Sequence, residues 1–490
     1  MTVTPEHDHF DLVVIGAGPA GEKGAAQAAY FGKRVCIVER APKPGGAMVN
    51  TGAVPSKTLR ETALYFSGFR QRGMYGVDLR VKPDITLADF MQRERSVIET
   101  EWELIDENIA RHHITTVQGA ACFRDARTLE VSRYGTVPRR LTADVFLLAT
   151  GARPAPPAGF ALDGEVIVDS DSLLTIQRIP SSLIVVGGGV IGCEYACMFA
   201  ALGVRVTLVN ERGRLISHLD PDASDALRQS MTSRLGVTVY GRAEIRSLEV
   251  DGRRAVATLG DGTIIAADLV LAATGRVGNI AGLGLEKLGV RVDPRSFVQV
   301  DSNYRTAVPH VYAAGDAIGF PALASSSMEQ ARVAVCHAFD LQYKRAVSSV
   351  LPYAVWTIPE VASVGESEES LLARDVPFEV GRAEFRTNAR GQMTGDVNGF
   401  VKLVFDPETQ RVLGVTIVGE GACELIHVGM TVIALEGTLD FFIQAGFNFP
   451  SLGEVYKYAA YAGLQQLRRR PGRSPGTAPA RREAAHDGPA

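Results

Sequence analysis

Two glycine-rich turns, set far apart in the sequence, constrain the fold of this chain more than any other feature. Residues 16–21 read GAGPAG and residues 187–192 read GGGVIG. Each turn follows a short apolar run, at residues 11–15 and 182–186, and precedes a helical pattern and a second apolar run. Short apolar runs predict buried parallel strands, so each glycine turn predicts a strand–turn–helix–strand unit. The chain is therefore expected to contain two α/β domains.

The spacing of the glycines in both turns is that of a dinucleotide-binding fingerprint. The first glycine permits the tight bend, the second lets a pyrophosphate approach the backbone, and the third lets the helix pack closely against the strand. The amides at the helix N-terminus then face the phosphates. The candidate cofactor contacts are therefore Gly16, Gly18 and Gly21 in the first turn and Gly187, Gly189 and Gly192 in the second.

The residue that ends the second strand differs between the two units. Glu39 lies 18 residues after Gly21, where a carboxylate accepts a hydrogen bond from a ribose hydroxyl. The second unit has Asn210 there, followed by Arg212 and Arg214. An amide bonds a ribose hydroxyl without repelling a 2′-phosphate, and either arginine can pair with that phosphate or lie on the surface of a turn. The second site is therefore expected to admit both NAD and NADP.

Length, charge and hydropathy narrow the class of protein. A chain of 490 residues is expected to hold about three domains of about 150 residues each. The net charge of −4 provides no basic field for a nucleic acid. No apolar run reaches the roughly 18 to 20 residues that a membrane span requires, and the acidic N-terminus lacks the apolar stretch of a signal peptide. Neither a nucleic-acid partner nor a membrane is expected.

The six cysteines are scattered, mostly in apolar contexts, which favours reduced thiols and a cytoplasmic protein. Cys193 and Cys197 lie four residues apart on a predicted helix. They form either a redox or metal pair, or small side chains packed against a sheet, and packing is the expectation. No metal site is predicted.

The segment at residues 45–57, GGAMVNTGAVPSK, resembles the redox-active segment of the flavin disulfide reductases. That family has the pattern GGxCxNxGCxPSK, so Met48 and Ala53 stand at its two cysteine positions. A thioether and a methyl group cannot exchange a disulfide, so electrons cannot leave through a dithiol here. The resemblance runs from about residue 9 to 467 and implies an FAD site, a nucleotide site, a return to the FAD site and a C-terminal domain.

Two further segments match this arrangement. Residues 312–317, YAAGDA, resemble the second FAD motif of the family, which implies that Asp316 accepts a hydrogen bond from a flavin ribitol hydroxyl; the alternative is an ordinary turn aspartate. Residues 145–151 and 269–275 both end in ATG, and each run is expected to close a nucleotide domain. Gly275 is accordingly a candidate cofactor contact.

The resemblance also implies a catalytic pair. Lys57 matches the family lysine beside the flavin N5, and Glu194 matches the glutamate that holds it; the alternative is a surface salt bridge. Phe449 occupies the position of the histidine that manages thiol protons in the disulfide reductases, and a phenyl ring transfers no proton. Both cysteines and the proton-transferring histidine are therefore missing together, which indicates that the same fold carries out a different reaction.

Within the family, the chain resembles the soluble flavin-dependent pyridine nucleotide transhydrogenases. The shared stretches are residues 52–60 (GAVPSKTLR), an Asn-aromatic-Pro at 448–450, and residues 419–427 (GEGACELIH), whose His427 is expected to be structural or at an interface. This resemblance implies exchange of hydride between NADPH and NAD⁺ by a ping-pong mechanism with FAD, in a homodimer or larger homo-oligomer. The alternatives are a diaphorase that reduces quinone or oxygen, and an inactive flavin-binding homologue.

The expected fold class is α/β, with two Rossmann-like dinucleotide-binding domains, for FAD and NAD(P), and a C-terminal α+β dimerisation domain. The strand-like runs at residues 401–405 and 412–418 predict a hairpin in that last domain. The tail is rich in Pro, Gly, Ala and Arg and is expected to be disordered. The predicted segments are the first part of the FAD domain at 1–156, the NAD(P) domain at 157–276, the second part of the FAD domain at 277–347, the dimerisation domain at 348–467 and the tail at 468–490.

Overall fold

The computed structural model describes residues 8–68 and 86–469, which form two compact units. The first unit extends to Leu351 and includes Val355–Ile358, and the second comprises Pro352–Ala354 and the chain from Pro359 onward. The predicted disordered tail lies outside the described residues from position 470 onward, and the predicted domain boundaries stay predictions. None of the helices in the described part of the chain is long and apolar enough to cross a bilayer.

The first unit contains one mixed sheet, one parallel sheet and two small antiparallel sheets, together with the helices that connect the strands. Its strands are β1 (Asp8–Ile15), β2 (Val35–Glu39), β3 (Thr115–Gln118), β4 (Ala120–Phe123), β5 (Thr128–Ser132), β6 (Arg139–Leu148), β7 (Ala152–Pro154), β8 (Ile167–Asp169), β9 (Ser182–Val186), β10 (Arg205–Asn210), β11 (Thr238–Gly241), β12 (Ile245–Asp251), β13 (Arg254–Leu259), β14 (Ile264–Ala267), β15 (Leu269–Ala272), β16 (Arg276–Gly278) and β17 (Val311–Ala313). Its α-helices are α1 (Pro19–Tyr30), α2 (Gly46–Asn50), α3 (Ala53–Ser67), α4 (Leu87–Arg111), α5 (Val190–Ala201), α6 (Pro221–Ser233) and α7 (Ala324–Ala338). Short 3-10 helices occur at Ser172–Thr175, Leu285–Leu288 and Gly315–Ile318.

The first sheet has the strand order β3-β2-β1-β6-β5-β4, with β17 also paired to β6. Strand β1 runs parallel to both β2 and β6, as the apolar residues at its carboxyl end predict. Successive side chains of a strand point to opposite faces, so Leu12 and Val14 enter one core and Val13 and Ile15 enter another. Helices α1, α4 and α7 cover the first of these faces. This arrangement places the first glycine turn at the carboxyl end of β1.

The second sheet is parallel, with the order β11-β10-β9-β15-β8, and the antiparallel strands β12, β13 and β14 cover one of its faces. Helix α5 follows the second glycine turn and is apolar on nearly all sides, as is typical of a fully buried helix. The strands and helix predicted around this turn are confirmed as β9, α5 and β10.

The second unit is an antiparallel sheet with helices, in the order β18-β19-β22-β21-β20. The predicted hairpin at 401–418 is confirmed as β21 and β22, paired Phe400 with Val418. Short 3-10 helices occur at Phe385–Thr387 and Leu452–Glu454. Its strands and helices are β18 (Tyr353–Val355), β19 (Val361–Gly365), β20 (Glu379–Glu384), β21 (Phe400–Phe405), β22 (Val412–Val418), α8 (Glu368–Ala373), α9 (Ala389–Thr394), α10 (Ala422–Ala434), α11 (Leu439–Gln444) and α12 (Val455–Arg469).

Candidate functional site

The first glycine turn has the geometry of a phosphate cradle. Gly16 adopts a φ of +105°, and a Cβ at this position would overlap the carbonyl oxygen of Ala149. A Cβ on Gly21 would overlap the carbonyl oxygen of Gly16, so the third glycine allows α1 to approach β1. Gly18 caps α1 with extended backbone and no side-chain hydrogen bond. The N-terminal amides of α1 therefore have no side-chain cap and can receive an anion.

The second glycine turn repeats this geometry. Gly187 adopts a φ of +116°, and a Cβ there would overlap the carbonyl oxygen of Ala273. A Cβ on Gly192 would likewise overlap the carbonyl oxygen of Gly187. Gly189 caps α5 without a side-chain hydrogen bond, and no atom of the described chain lies within 4 Å of its hypothetical Cβ. A ligand can therefore reach the backbone of this turn directly.

The two residues predicted to contact ribose lie in different environments. The carboxylate of Glu39 accepts hydrogen bonds from the backbone N–H groups of Ala17 (2.7 Å) and Ala41 (2.8 Å). Asn210 is only 5% exposed, and its side-chain oxygen accepts from the N–H of Gly188 at 3.3 Å. Its amide nitrogen donates to two carbonyl oxygens of the following turn, those of Arg212 and Arg214. Asn210 thus closes this turn internally, and its contact with ribose stays a prediction.

The arginines predicted to meet a 2′-phosphate both lie on the turn after β10. Arg212 is exposed, and its Nη1 donates to the hydroxyl of Ser217 at 2.9 Å. Arg214 is half-buried, and its Nη2 donates to the carbonyl oxygen of Ser217 at 2.5 Å. Gly275, the remaining predicted contact, follows β15 and has a φ of +137°. The nucleotide roles of these residues stay predictions.

The structure brings Lys57 and Glu194 together. Lys57 lies in the first turns of α3 and Glu194 in the buried helix α5, and the Nζ–Oε2 distance is 2.7 Å. The Lys57 side chain is 29% exposed and that of Glu194 is 9% exposed, so the pair is largely buried. The second carboxylate oxygen of Glu194 accepts from the backbone N–H of Trp356 at 2.9 Å, a contact that the sequence did not predict. Both oxygens of Glu194 are therefore engaged, which fixes the position of the ammonium group.

The segment before Lys57 contains no thiol. Met48 is half-buried against the core that includes β1 and α1, and Ala53 is exposed at the start of α3. All six cysteines lie in the described part of the chain, and all six are free. Burial raises the pKa of Cys197 to about 12 and that of Cys193 well above its ordinary value. A neutral, buried thiol neither attacks a disulfide nor binds a metal readily, so the structure favours packing roles for these two residues.

Asp316 lies in the short helix Gly315–Ile318, and Arg276 acts on it electrostatically. Burial raises the pKa of Asp316, and the positive charge of Arg276 opposes this shift. The same two causes, in the same order, act on the pKa of Asp171, which burial also raises. The sequence predicted Asp316 but missed Arg276 and Asp171. The sequence does contain a signal for Arg276, because this residue comes immediately after the second ATG.

Two buried polar atoms at this place lack a partner among the described residues. They are the Nε of Arg276 and the hydroxyl of Thr150. The Nη2 of Arg276 donates to the carbonyl oxygen of Ala152 at 2.6 Å, so the guanidinium lies beside the segment that contains Thr150. Buried polar groups are normally hydrogen-bonded, so these atoms fit a ligand with hydroxyl and phosphate oxygens. Together with the first glycine turn and Asp316, this donor and acceptor set fits FAD.

In the second unit, the aromatic residue predicted at the place of a proton-transfer histidine is accessible. Phe449 is 68% exposed. His427 is exposed on α10, with its Nδ1 3.1 Å from the carbonyl oxygen of Glu424. The structural or interface role of His427 stays a prediction.

Comparisons with known proteins agree with this geometry. Residues 10–338 match the family model of the pyridine nucleotide-disulphide oxidoreductases, and residues 351–460 match the dimerisation domain of that family. A soluble pyridine nucleotide transhydrogenase of Mycobacterium bovis is 41% identical over 94% of this chain and 98% of its own length. The protein of the same name from Yersinia enterocolitica is 38% identical over 94% and 99%.

Among solved structures, LpdA from Mycobacterium tuberculosis superposes with a TM-score of 0.85 at 29% identity, covering 93% of this chain and 99% of LpdA. The flavoprotein disulfide reductase RclA from Escherichia coli, at 24% identity, has a TM-score of 0.84 over 93% and 99%, which concerns the fold alone. The predicted fold class is confirmed, and the match to the dimerisation domain supports the predicted homodimer. The chain belongs to the pyridine nucleotide-disulphide oxidoreductase family.

Proposed function

We propose that this chain is an FAD-dependent pyridine nucleotide transhydrogenase that exchanges hydride between NADPH and NAD⁺. The observation that carries the proposal is a thiol-free site: Lys57 and Glu194 are paired at 2.7 Å, while Met48 and Ala53 stand where a disulfide reductase needs cysteines. The relatives at 38% and 41% identity bear the name of this activity. An inactive homologue would have no use for a largely buried ion pair, because such pairs are costly to maintain.

The residues that would hold FAD are those of the first glycine turn, Glu39, Thr150, Arg276 and Asp316. FAD, when bound, supplies reversible acceptance and donation of a hydride. Lys57 would place a fixed positive charge near the reacting ring, where it favours negative charge on the reduced cofactor. Glu194 holds the ammonium group, and the backbone of Trp356 holds Glu194. These residues orient and stabilise, and no proton transfer is assigned to a side chain of this site.

The second glycine turn would bind the nicotinamide nucleotides in succession. Its Gly189 is open to a ligand, and Asn210 is neutral, so the site carries no carboxylate at that position to repel a 2′-phosphate. One site that admits NADP(H) and NAD(H) in turn produces ping-pong kinetics, because the first product must leave before the second substrate binds. We also infer a cytoplasmic location, since all six thiols are free, and assembly as a homodimer or a larger homo-oligomer.

An anaerobic stopped-flow experiment on the FAD-loaded protein tests the proposal. NADPH should bleach the absorbance of the oxidised flavin, and NAD⁺ added afterwards should restore it and form NADH. In steady state, double-reciprocal plots at several NAD⁺ concentrations should give parallel lines. Slow reoxidation by NAD⁺ beside fast reoxidation by a quinone would instead identify a diaphorase. Efficient turnover of lipoamide or glutathione disulfide would refute the assignment of a thiol-free site.

A further inference from the structure

Arg212 and Arg242 follow two neighbouring strands, and their backbones are hydrogen-bonded to each other beyond the predicted ribose site. In the parallel pairing of β10 and β11, Asn210 lies directly beside Gly241. Arg242 comes directly after Gly241, and its N–H donates to the carbonyl oxygen of Arg212, two residues after Asn210, at 3.4 Å. The carboxyl ends of parallel strands form the ligand-binding edge of such a sheet. Arg242 therefore lies at this edge, directly after the strand that pairs with the strand of Asn210.

The side chain of Arg242 lies along the turn that carries Arg212. A Cβ placed on Gly213 would be 3.0 Å from the Nε of Arg242 and 3.7 Å from its Cζ, so the guanidinium passes directly over this glycine. From the other side, Nη1 of Arg228 on α6 would be 3.6 Å from a Cβ on Gly241. The absence of side chains at these two glycines leaves room for the guanidinium groups to approach the turn.

None of these three cations has an anionic partner among the described residues. No carboxylate in residues 8–68 or 86–469 lies within 4 Å of the guanidinium nitrogens of Arg212, Arg228 or Arg242. All three side chains are exposed. Arg242 also adopts a left-handed backbone conformation, with a φ of 57°, which is uncommon and strained for a residue with a side chain. Arg214, in contrast, donates from its Nη2 to the carbonyl oxygen of Ser217 in its own turn.

We propose that Arg242, together with Arg212, binds the 2′-phosphate of NADP(H), with Arg228 adding positive charge behind them. Guanidinium groups bind a phosphomonoester by paired hydrogen bonds, and two of them approaching from different strands fix its position. Asn210 contributes indirectly, since its amide holds the carbonyl groups of Arg212 and Arg214. This inference rests on the proposed function, because it names the group that distinguishes one of its two substrates.

Equilibrium binding of two probes to the FAD-loaded protein tests the proposal without any hydride transfer. The probes are 2′,5′-ADP, which carries the 2′-phosphate, and 5′-AMP, which lacks it, each titrated by calorimetry. The wild type should bind 2′,5′-ADP at least about tenfold more tightly than 5′-AMP. Arg242→Gln should weaken binding of 2′,5′-ADP about tenfold and leave binding of 5′-AMP within about twofold. The reason is that the charge-assisted hydrogen bond removed by this substitution is made to the 2′-phosphate, which 5′-AMP lacks.

The matched control is Arg253→Gln, which removes the same charge from an exposed arginine in the turn between β12 and β13. It should change neither affinity. An unchanged affinity of Arg242→Gln for 2′,5′-ADP, or equal losses for both probes, would overturn the proposal. Retained 5′-AMP binding and flavin content exclude misfolding of the variant, and Arg242→Lys should recover part of the lost affinity.

The two proposals fail separately. If Arg242→Gln discriminates the probes as expected but NADPH-reduced enzyme does not reduce NAD⁺, only the proposed function is wrong. If hydride exchange proceeds and Arg242→Gln binds 2′,5′-ADP normally, only the role of Arg242 is wrong.

Discussion

The two glycine turns of this chain have the same backbone and different surroundings. In both, the first glycine avoids a carbonyl oxygen of a neighbouring strand end, and the third avoids the carbonyl oxygen of the first. At the middle glycine the turns differ. A Cβ on Gly18 would meet the backbone of Gly46 at 3.6 Å, whereas nothing in the described chain lies within 4 Å of a Cβ on Gly189. At its middle glycine, therefore, the first turn is in contact with its own chain, and the second turn is open.

The polar residues around the turns differ in the same sense. The first site presents a carboxylate, Glu39, and a second carboxyl group, Asp316, on which the positive charge of Arg276 acts. At the equivalent of Glu39 the second site has the neutral Asn210, followed by the exposed Arg212 and the half-buried Arg214. A turn that is in contact with its own chain and lies near carboxyl groups suits a cofactor that stays bound. An open turn with an accessible cation suits a ligand that enters and leaves. The same strand–turn–helix–strand unit can therefore either retain a cofactor or exchange a nucleotide. The residues at and beyond the end of its second strand decide between the two.

The largest effect on the reaction is expected from removal of the positive charge of Lys57. Lys57 comes from α3, which follows the helix α2 that packs on the first turn, and Glu194 comes from α5, the helix of the second turn. Their ion pair therefore links segments of the two sites. Lys57→Met should slow reduction of bound flavin by NADPH about 100-fold, by analogy with the loss of one preorganised donor. Stopped-flow absorbance measures this rate, and the FAD content of the purified variant is the control. An unchanged rate would remove Lys57 from the mechanism.

Exchanging the middle glycines for alanine tests the comparison itself. Both Gly18 and Gly189 have a negative φ, so alanine is tolerated by either backbone. Gly189→Ala should weaken NADPH binding about tenfold and leave FAD in place, because the methyl group occupies the space of the pyrophosphate. Gly18→Ala should lower FAD retention and leave 5′-AMP binding unchanged. Dialysis followed by flavin fluorescence, and calorimetric titration, give the two readouts. Loss of both ligands in either variant would contradict independent sites.

The sequence predicted the parts of the fold that depend on local pattern. The short, mostly apolar runs around each glycine turn indicated β1, β9 and β10, because parallel strands that are buried on both faces are rich in apolar side chains. The pair of Lys57 and Glu194 followed from a family resemblance, and the structure places the two side chains at 2.7 Å.

Residues that depend on long-range proximity were not predictable from one sequence. Trp356 is 162 residues away from the carboxylate that it donates to, and no local pattern marks it. Arg242 gains its importance from the register of β11 against β10, which sets Gly241 beside Asn210. Asn210 was predicted as a ligand contact from its position at the strand end. The sequence position of Asn210 does not reveal that its side-chain amide donates to carbonyl oxygens of the following turn.

The smallest effect expected is on the stability of the first site without its cofactor. Burial raises the pKa of Asp316 above its ordinary value of 3.8, so the folded apoprotein disfavours the ionised carboxylate. Because the pKa is raised in the folded state, the protonated carboxyl group contributes to the free energy of unfolding below pH 3.8. This contribution is lost as the pH rises through the folded-state pKa. Asp316→Asn removes this penalty, and the apoprotein should unfold about 2 °C higher at pH 7, with the difference vanishing towards pH 4.

Thermal unfolding of apoprotein followed by circular dichroism measures this difference, and Asp251→Asn, at the exposed end of β12, is the control for loss of one negative charge. The same Asp316 variant should bind FAD more weakly than the wild type, because a carboxylate is the stronger acceptor for a hydroxyl group. The carboxylate of Asp316 would then lower the stability of the empty site and strengthen the retention of the cofactor. A lower unfolding temperature of Asp316→Asn at pH 7 would show instead that the carboxylate stabilises the empty site, and the contrast between the two sites would lose its electrostatic basis.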